Sequence, residues 1–153
     1  MVNVIVFSLG RARMAIDLRH VREVFTLGPV TPVPTAPGAI AGVVNLRGAV
    51  IPTLSLRHLL PDVQDPGDPT EPPPPVKAGD PVIMVEVDGI RVALAVERVD
   101  EVTTLWETPA PEGSELYAPF VDSRARRTLL VDVAAVLAAT RREVERAGAV
   151  GPY

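Results

Sequence analysis

Ala39-Ile40-Ala41-Gly42-Val43-Val44-Asn45-Leu46-Arg47-Gly48-Ala49-Val50-Ile51-Pro52-Thr53-Leu54 is the stretch that decides the fold class. Two runs of small and β-branched residues flank a polar turn, Asn45 to Gly48. Asparagine and glycine at its ends supply the backbone freedom that a tight connection demands. The pattern predicts a β-hairpin. Pro52 has no N–H to give to a ladder, so it is expected at an edge or a bulge.

The same signals recur on both sides. Val2 to Leu9 is expected as a strand, with Gly10 to Arg13 as its turn, and Met14, Ile16 and Leu18 then share one face. Arg19 to Phe25 fits a helical turn running into another strand. Pro32, Pro34 and Pro37 exclude a central strand from the connector Pro29–Pro37. From Pro61 to Pro81 eight residues are proline and Asp62, Asp65, Asp68, Glu71 and Asp80 add acid, so 61–81 is expected as an exposed, extended loop. A spacer suits it better than a PxxP ligand. Strands resume at Val82 to Val87 and Ile90 to Val96 around Asp88-Gly89, a second hairpin signal. Val99-Asp100-Glu101-Val102 then repeats the sense of Val21-Arg22-Glu23-Val24, which predicts two related β modules. Thr128 to Val131 is expected as the last strand. Asp132 is placed to cap a helix over 132–147, on which Val133, Val136, Leu137 and Thr140 share a face.

Composition agrees. Only 4% of residues are aromatic, prolines number 17 and valine dominates the apolar set, which favours many short strands over a helix bundle. There is no cysteine, hence no disulfide or thiolate metal site. A net charge of −4 without a long basic run argues against a nucleic-acid partner. The apolar runs are far shorter than the roughly 20 residues that span a bilayer, and the start lacks a basic n-region, so neither membrane insertion nor secretion is expected. The expected location is cytoplasmic.

Catalytic chemistry is hard to find. His20 and His58 have no partner at metal-ligand spacing, no phosphate-binding or nucleophile motif is present, and no cofactor is implied. Asp100 and Glu101, being adjacent, face opposite ways on a strand. Arg124, Arg126 and Arg127 fit an anion site or a polar hairpin about equally. The most pointed feature is the hairpin tip, where two interpretations stay open. Arg47 either waves in solvent above a turn that holds register, or presents a five-donor guanidinium beside Val44 and Leu46, the composition of an interface hot spot.

A resemblance bears on that choice. Val6-Phe7-Ser8-Leu9-Gly10, Ala15-Ile16-Asp17-Leu18, Val21-Arg22-Glu23-Val24, Pro34-x-x-Pro37 and Gly42-Val43-Val44-Asn45-Leu46-Arg47-Gly48-Ala49-Val50-Ile51-Pro52 resemble, in order, the CheW family of chemotaxis coupling proteins. Val85 to Gly89, Ala95 to Val99 and Leu129 to Asp132 resemble its second half, so the likeness covers most of residues 2–140. It implies two intertwined, SH3-like five-stranded β-barrels with a short C-terminal α-helix. The implied organisation is a single domain over 1–150, with halves 18–82 and 83–131 and with strands 2–17 and helix 132–147 crossing over. It also implies a non-catalytic adaptor that joins the cytoplasmic tip of a methyl-accepting chemoreceptor to the regulatory domain of a CheA-type histidine kinase. Other CheW-like proteins would be its neighbours in arrays. The protein-binding residues it implies are Val21, Glu23, Gly42, Asn45 and Arg47, to which the apolar patch at the hairpin tip adds Val44 and Leu46. The strand after Pro52 reads Leu54-Ser55-Leu56-Arg57 where the family usually has an aspartate, and the second half keeps fewer signatures. A receptor-binding module without productive kinase contact is therefore the alternative within the family. A small enzyme or ligand-binding barrel is the alternative of another class.

Overall fold

Strands form wherever β-branched and apolar residues alternate between turn signals. The computed structural model describes residues 1–33, 38–60, 75–108 and 114–146. In chain order the elements are β1 (Val2–Leu9), β2 (Ala12–Asp17), a 3-10 turn (Leu18–His20), β3 (Val21–Thr26), β4 (Ile40–Leu46), β5 (Ala49–Ser55) and a single helical turn α1 (Leu56–Leu59). There follow β6 (Pro81–Val87), β7 (Ile90–Ala95), β8 (Arg98–Glu107), β9 (Tyr117–Val121), β10 (Arg127–Val131) and α2 (Val133–Arg146). Arg19 to Phe25, which suited both a helical turn and a strand, is one after the other. The α2 N-terminus is capped as the sequence predicts, Ala135 N donating to Asp132 Oδ1 at 3.0 Å.

The strands make a closed barrel, β1-β2-β10-β9-β8, and a five-stranded sheet, β3-β6-β7-β5-β4. Each combines a hairpin from one half of the chain with three strands from the other. The first hairpin, β1–β2, joins β8, β9 and β10, and the second, β6–β7, joins β3, β4 and β5. In both sheets the last strand lies parallel to the second strand of the foreign hairpin, as β10 does to β2 and β5 to β7. The two modules have exchanged hairpins.

Two details differ from expectation. The sheets part between Ala95 and Arg98, not at 82/83, because β6 pairs with β3 and β7 with β5. Among the described residues the second barrel is not closed by a ladder: β4 meets the connector through one bridge, with Thr31 N donating to Val43 O at 3.0 Å and Val43 N to Thr31 O at 2.9 Å. Pro29 and Pro32 flank Thr31 and cannot donate, which keeps this link to one residue. Of the expected exposed loop 61–81, residues 61–74 lie outside the described residues. Its C-terminal end is tied down: Val76 packs on a buried cluster, Gly79 N donates to Leu27 O at 2.9 Å, and Pro81 starts β6.

One face of each sheet builds a shared core. Ile5, Phe7, Leu9, Met14 and Ile16 from the barrel meet Leu54, Ile83, Val85 and Leu94 from the open sheet, and Val133 and Val136 of α2 close it. At about 1.5–3 kcal/mol for each fully buried large side chain, this layer joins the two sheets into one folding unit. The opposite faces line two smaller interiors. Val4, Val6, Ala15 and Leu105 fill the barrel, whereas Leu27, Val44, Ile51, Val82, Met84 and Ala93 line the concave side of the open sheet.

Candidate functional site

The β4–β5 hairpin turns through Arg47 and Gly48, whose φ angles are 53° and 87°. Two successive left-handed residues give the mirror-image turn that matches strand twist. Glycine adopts this conformation freely, whereas for arginine it costs roughly 1 kcal/mol. Asn45 Oδ1 accepts from Gly48 N at 3.0 Å and holds the turn. The tip is rigid, and its one long side chain is Arg47.

Arg47 Nη2 donates to Glu23 Oε1 at 2.5 Å. Glu23 lies on β3, at the far edge of the sheet from β4. The sheet curls far enough for its two edge strands to meet through this ion pair. The arginine side chain is 73% exposed against 26% for the glutamate, so solvent meets mainly the guanidinium. Beneath them Val44 is buried and Leu46 half-buried in the concave cluster.

The remaining predicted residues have different places. A bulge at Arg22 sets Val21 opposite Val85 and Glu23 opposite Met84. Neighbouring residues of β6 face opposite sides, so Val21 packs on the shared core while Glu23 faces the concave side. Gly42 is buried under the connector: an added Cβ would lie 2.5 Å from Thr31 O and 2.7 Å from Val30 Cγ1. Thus Glu23, Leu46 and Arg47 share a surface, Val44 and Gly42 support it, Asn45 fixes the turn, and Val21 belongs elsewhere.

Sequence reasoning missed a second charged group on the same sheet. Glu86 of β6 is bound by Arg22 of β3 and by Arg91 of β7, whose Nε lies 3.2 Å from Glu86 Oε1. The Arg91 hydrogen bond, reinforced by the charge of Arg22, outweighs desolvation and holds the Glu86 carboxyl below its usual range. Cross-strand pairing creates this cluster. The Asp88-Gly89 hairpin, visible in the sequence, was its only clue.

The barrel carries a related arrangement. Glu101 of β8 stands where Glu23 stands in the repeated motif, and it too accepts from an arginine of a hairpin, Arg126 Nη2 at 3.0 Å. Here Arg13 adds a bond to Glu101 at 2.8 Å and another to Asp122 at 3.1 Å. Asp122 is buried and also accepts from Arg124 N, Arg126 N and Arg126 Nε at 2.9, 2.9 and 2.7 Å. Burial pushes its carboxyl up, but the backbone N–H groups of Arg126 and Arg124 and the Arg126 guanidinium bring it down to about 2. Of the arginines of this hairpin, Arg126 thus has an aspartate of the chain itself as its anion, while Arg124 gives that aspartate its backbone N–H.

Among the described residues no group of three or more histidine or acidic side chains is placed to hold a metal ion. His58 lies 3.6 Å from Glu143, and His20 lines an open hollow of about 340 Å³ beside the α2 N-terminus. The aspartates lining that hollow are engaged, Asp17 by Arg19 and Asp132 by the helix.

The family profile of the CheW-like domain matches residues 3–141. Among curated relatives, Chemotaxis protein CheW of Rhizobium meliloti (strain 1021) is 28% identical over 135 residues, covering 85% of this chain and 78% of that protein. Probable chemotaxis protein CheW of Rhizobium etli is 32% identical over 134 residues, again 85% of this chain and 78% of the relative. The crystal structure of the scaffolding protein TtCheW from Thermoanaerobacter tengcongensis superposes with a TM-score of 0.67 at 23% identity, covering 85% of this chain and 88% of that one.

Proposed function

The chain belongs to the family of CheW-like domains, and on that premise we propose that its Arg47 hairpin is the contact through which it couples a chemoreceptor to a histidine kinase. It is a chemosensory coupling adaptor. The proposed partners are the cytoplasmic tip of a methyl-accepting chemoreceptor, the regulatory domain of a CheA-type kinase and other CheW-like proteins in an array. No catalytic step is assigned to it. Among the described residues no helix is long and apolar enough to cross a membrane, and the proposed location is the cytoplasm.

One observation carries the docking assignment: an exposed arginine held in a strained, hydrogen-bonded turn above half-buried Leu46. Such an arginine loses little freedom on binding and keeps donors beyond the one given to Glu23. The pair with Glu23 is exposed and contributes about 0.2–1 kcal/mol, so a partner carboxylate can displace it at low cost.

Arg47→Ala tests this. Receptor-tip binding is expected to weaken by about 2–4 kcal/mol. Folding stability should change by no more than about 1 kcal/mol. Arg47→Lys should restore only part of the affinity, because an ammonium lacks the planar fork. Separate titrations with the receptor tip and the kinase regulatory domain resolve which partner depends on it. Normal binding combined with early unfolding would make Arg47 a strut between β3 and β4, not a contact.

A further inference from the structure

We propose that the barrel slot filled by hairpin β1–β2 accepts the same hairpin from a second copy of this chain, so that two copies form a hairpin-exchanged dimer. The proposal is independent of what the Arg47 tip binds.

The hairpins β1–β2 and β6–β7 are equivalent residue by residue. Val4, Ile5, Val6 and Phe7 of β1 pair with Asp17, Ile16, Ala15 and Met14 of β2; Val82, Ile83, Met84 and Val85 of β6 pair in the same order with Ala95, Leu94, Ala93 and Val92 of β7. Each hairpin meets its third strand in the same register. Val6 lies opposite Glu101 and Phe7 opposite Val99, as Met84 lies opposite Glu23 and Val85 opposite Val21, with a bulge at the same step. The faces agree as well. Ile5, Phe7 and Met14, like Ile83, Val85 and Val92, enter the shared core. Val4, Val6 and Ala15, like Val82, Met84 and Ala93, turn into the interior of their module. Register and buried face thus specify the slot, and each slot is already filled by a hairpin whose chain connection runs to the other module.

That connection is short for β1–β2. The hairpin passes to β3 of the open sheet through Leu18–His20 alone, and the barrel holds it by the β1–β8 and β2–β10 ladders and by side-chain packing. Exchange with a second copy restores those ladders and buried faces and alters only the turn. The turn is pinned in its bent form by one side chain. Asp17 Oδ1 accepts from Arg19 N at 2.9 Å, and Asp17 Oδ2 accepts from Arg19 Nε and Nη2 at 3.0 and 2.8 Å. Val21 N donates to Leu18 O within the same bend. A three-residue hinge of this kind invites exchange when it straightens. Freeing the hairpin breaks both ladders, so exchange takes place while the chain folds and rises with concentration. Each copy keeps its own open sheet, so the dimer carries Arg47 twice and gains avidity for a clustered partner.

The chain has no cysteine, so two introduced thiols can report where each hairpin sits. Asn3 of β1 and Thr104 of β8 are cross-strand partners, with Thr104 Oγ1 donating to Asn3 Oδ1 at 2.9 Å. Cysteines at directly opposed positions lie within disulfide reach. The full chain carrying Asn3→Cys/Thr104→Cys is unfolded in urea and refolded under reducing conditions at micromolar and at near-millimolar concentration. Its mass is read by light scattering, then the thiols are oxidised and the chains separated by denaturing, non-reducing electrophoresis. The dimer fraction is expected to rise severalfold with refolding concentration, the disulfides joining two chains in the dimer and closing within one chain in the monomer. Deleting Arg19 and His20 is expected to raise the dimer fraction further, and Asp17→Ala, which releases the bend, serves if that deletion does not fold. A chain that stays monomeric at every refolding concentration would overturn the proposal. So would a dimer whose disulfides close within each chain, because its hairpins have stayed at home and the copies meet only by their surfaces.

Discussion

Gly42 separates a residue that touches a partner from one that shapes the surface for it. Alanine there places a Cβ 2.5 Å from Thr31 O, 2.7 Å from Val30 Cγ1 and 3.0 Å from Thr31 C. Two of those atoms are backbone and cannot turn aside, so the connector or β4 must move. Moving the connector breaks the reciprocal Thr31–Val43 hydrogen bonds, each contributing about 1 kcal/mol net. Forcing a methyl into a filled space adds about 1–3 kcal/mol. The two estimates overlap, since breaking the bonds relieves the clash, so the expected loss is about 2–4 kcal/mol. For a chain of this length that lowers Tm by about 5–15 °C. Thermal and urea unfolding measure the loss, and amide exchange at Thr31 and Val43 should accelerate ahead of the rest of β4. Receptor binding, titrated well below Tm, should weaken through the displaced edge of β4. A variant that melts as the parent does, with unchanged exchange at Thr31 and Val43 but no receptor binding, would refute this and return Gly42 to the contact surface.

Asp122→Ala should cost about 3–5 kcal/mol, because it leaves Arg13, Arg126 and two backbone N–H groups without their buried acceptor. Its carboxyl is lower in the folded chain than in the unfolded one, so this stabilisation is full above the ordinary aspartate value near 3.8 and is lost as pH falls toward about 2. Urea unfolding from pH 5 to pH 2 should give the parent a steeper acid limb than Asp122→Asn, and equal slopes would refute the assignment. Thr53 Oγ1 is buried and, among the described residues, without a hydrogen-bond partner, so Thr53→Val should raise stability by about 1 kcal/mol in the same assay. A loss of that size would mean that the hydroxyl is satisfied.

How much of this was legible follows from the range of each interaction. The hairpin around Asn45 to Gly48 was readable because a turn is a local contract: Asn45 bonds Gly48 three residues away, and alternation on either side sets the faces. Pro52 shows the boundary of such reasoning. It lies in an interior strand, between β4 and β7, and not at an edge. Val43, its opposite, turns its N–H and C=O toward Thr31, so the missing Pro52 N–H points away from β4, where the ladder to β7 has not begun. The exchange of hairpins left no local trace. Nothing within Val82 to Ala95 says which neighbours it takes, and the hairpin it forms joins β3, β4 and β5. The Arg22–Glu86–Arg91 group and the Arg13–Asp122 bond were hidden for the same reason, because their members meet only once distant strands are in register.

The repeated motif is held differently in the two modules. Each module places a glutamate on its third strand and an arginine on its last hairpin, and each pair forms across a sheet seam, Glu23 with Arg47 and Glu101 with Arg126. In the barrel, Asp122 and Arg13 join the pair, and removing the buried carboxylate strands several donors at once. That seam is closed, with Trp106 and Glu107 of β8 paired to Val121 and Phe120 of β9. In the open sheet, among the described residues, Glu23 and Arg47 have no such buried carboxylate beside them, the guanidinium is exposed, and the seam is bridged through Thr31. An exposed pair contributes less than about 1 kcal/mol, whereas breaking a buried, multiply bonded one costs about 3–5 kcal/mol. Only the first can be exchanged for a partner's carboxylate without disturbing the fold. The buried Asp122 therefore makes one seam a latch, and the seam without such a carboxylate is the one proposed to dock.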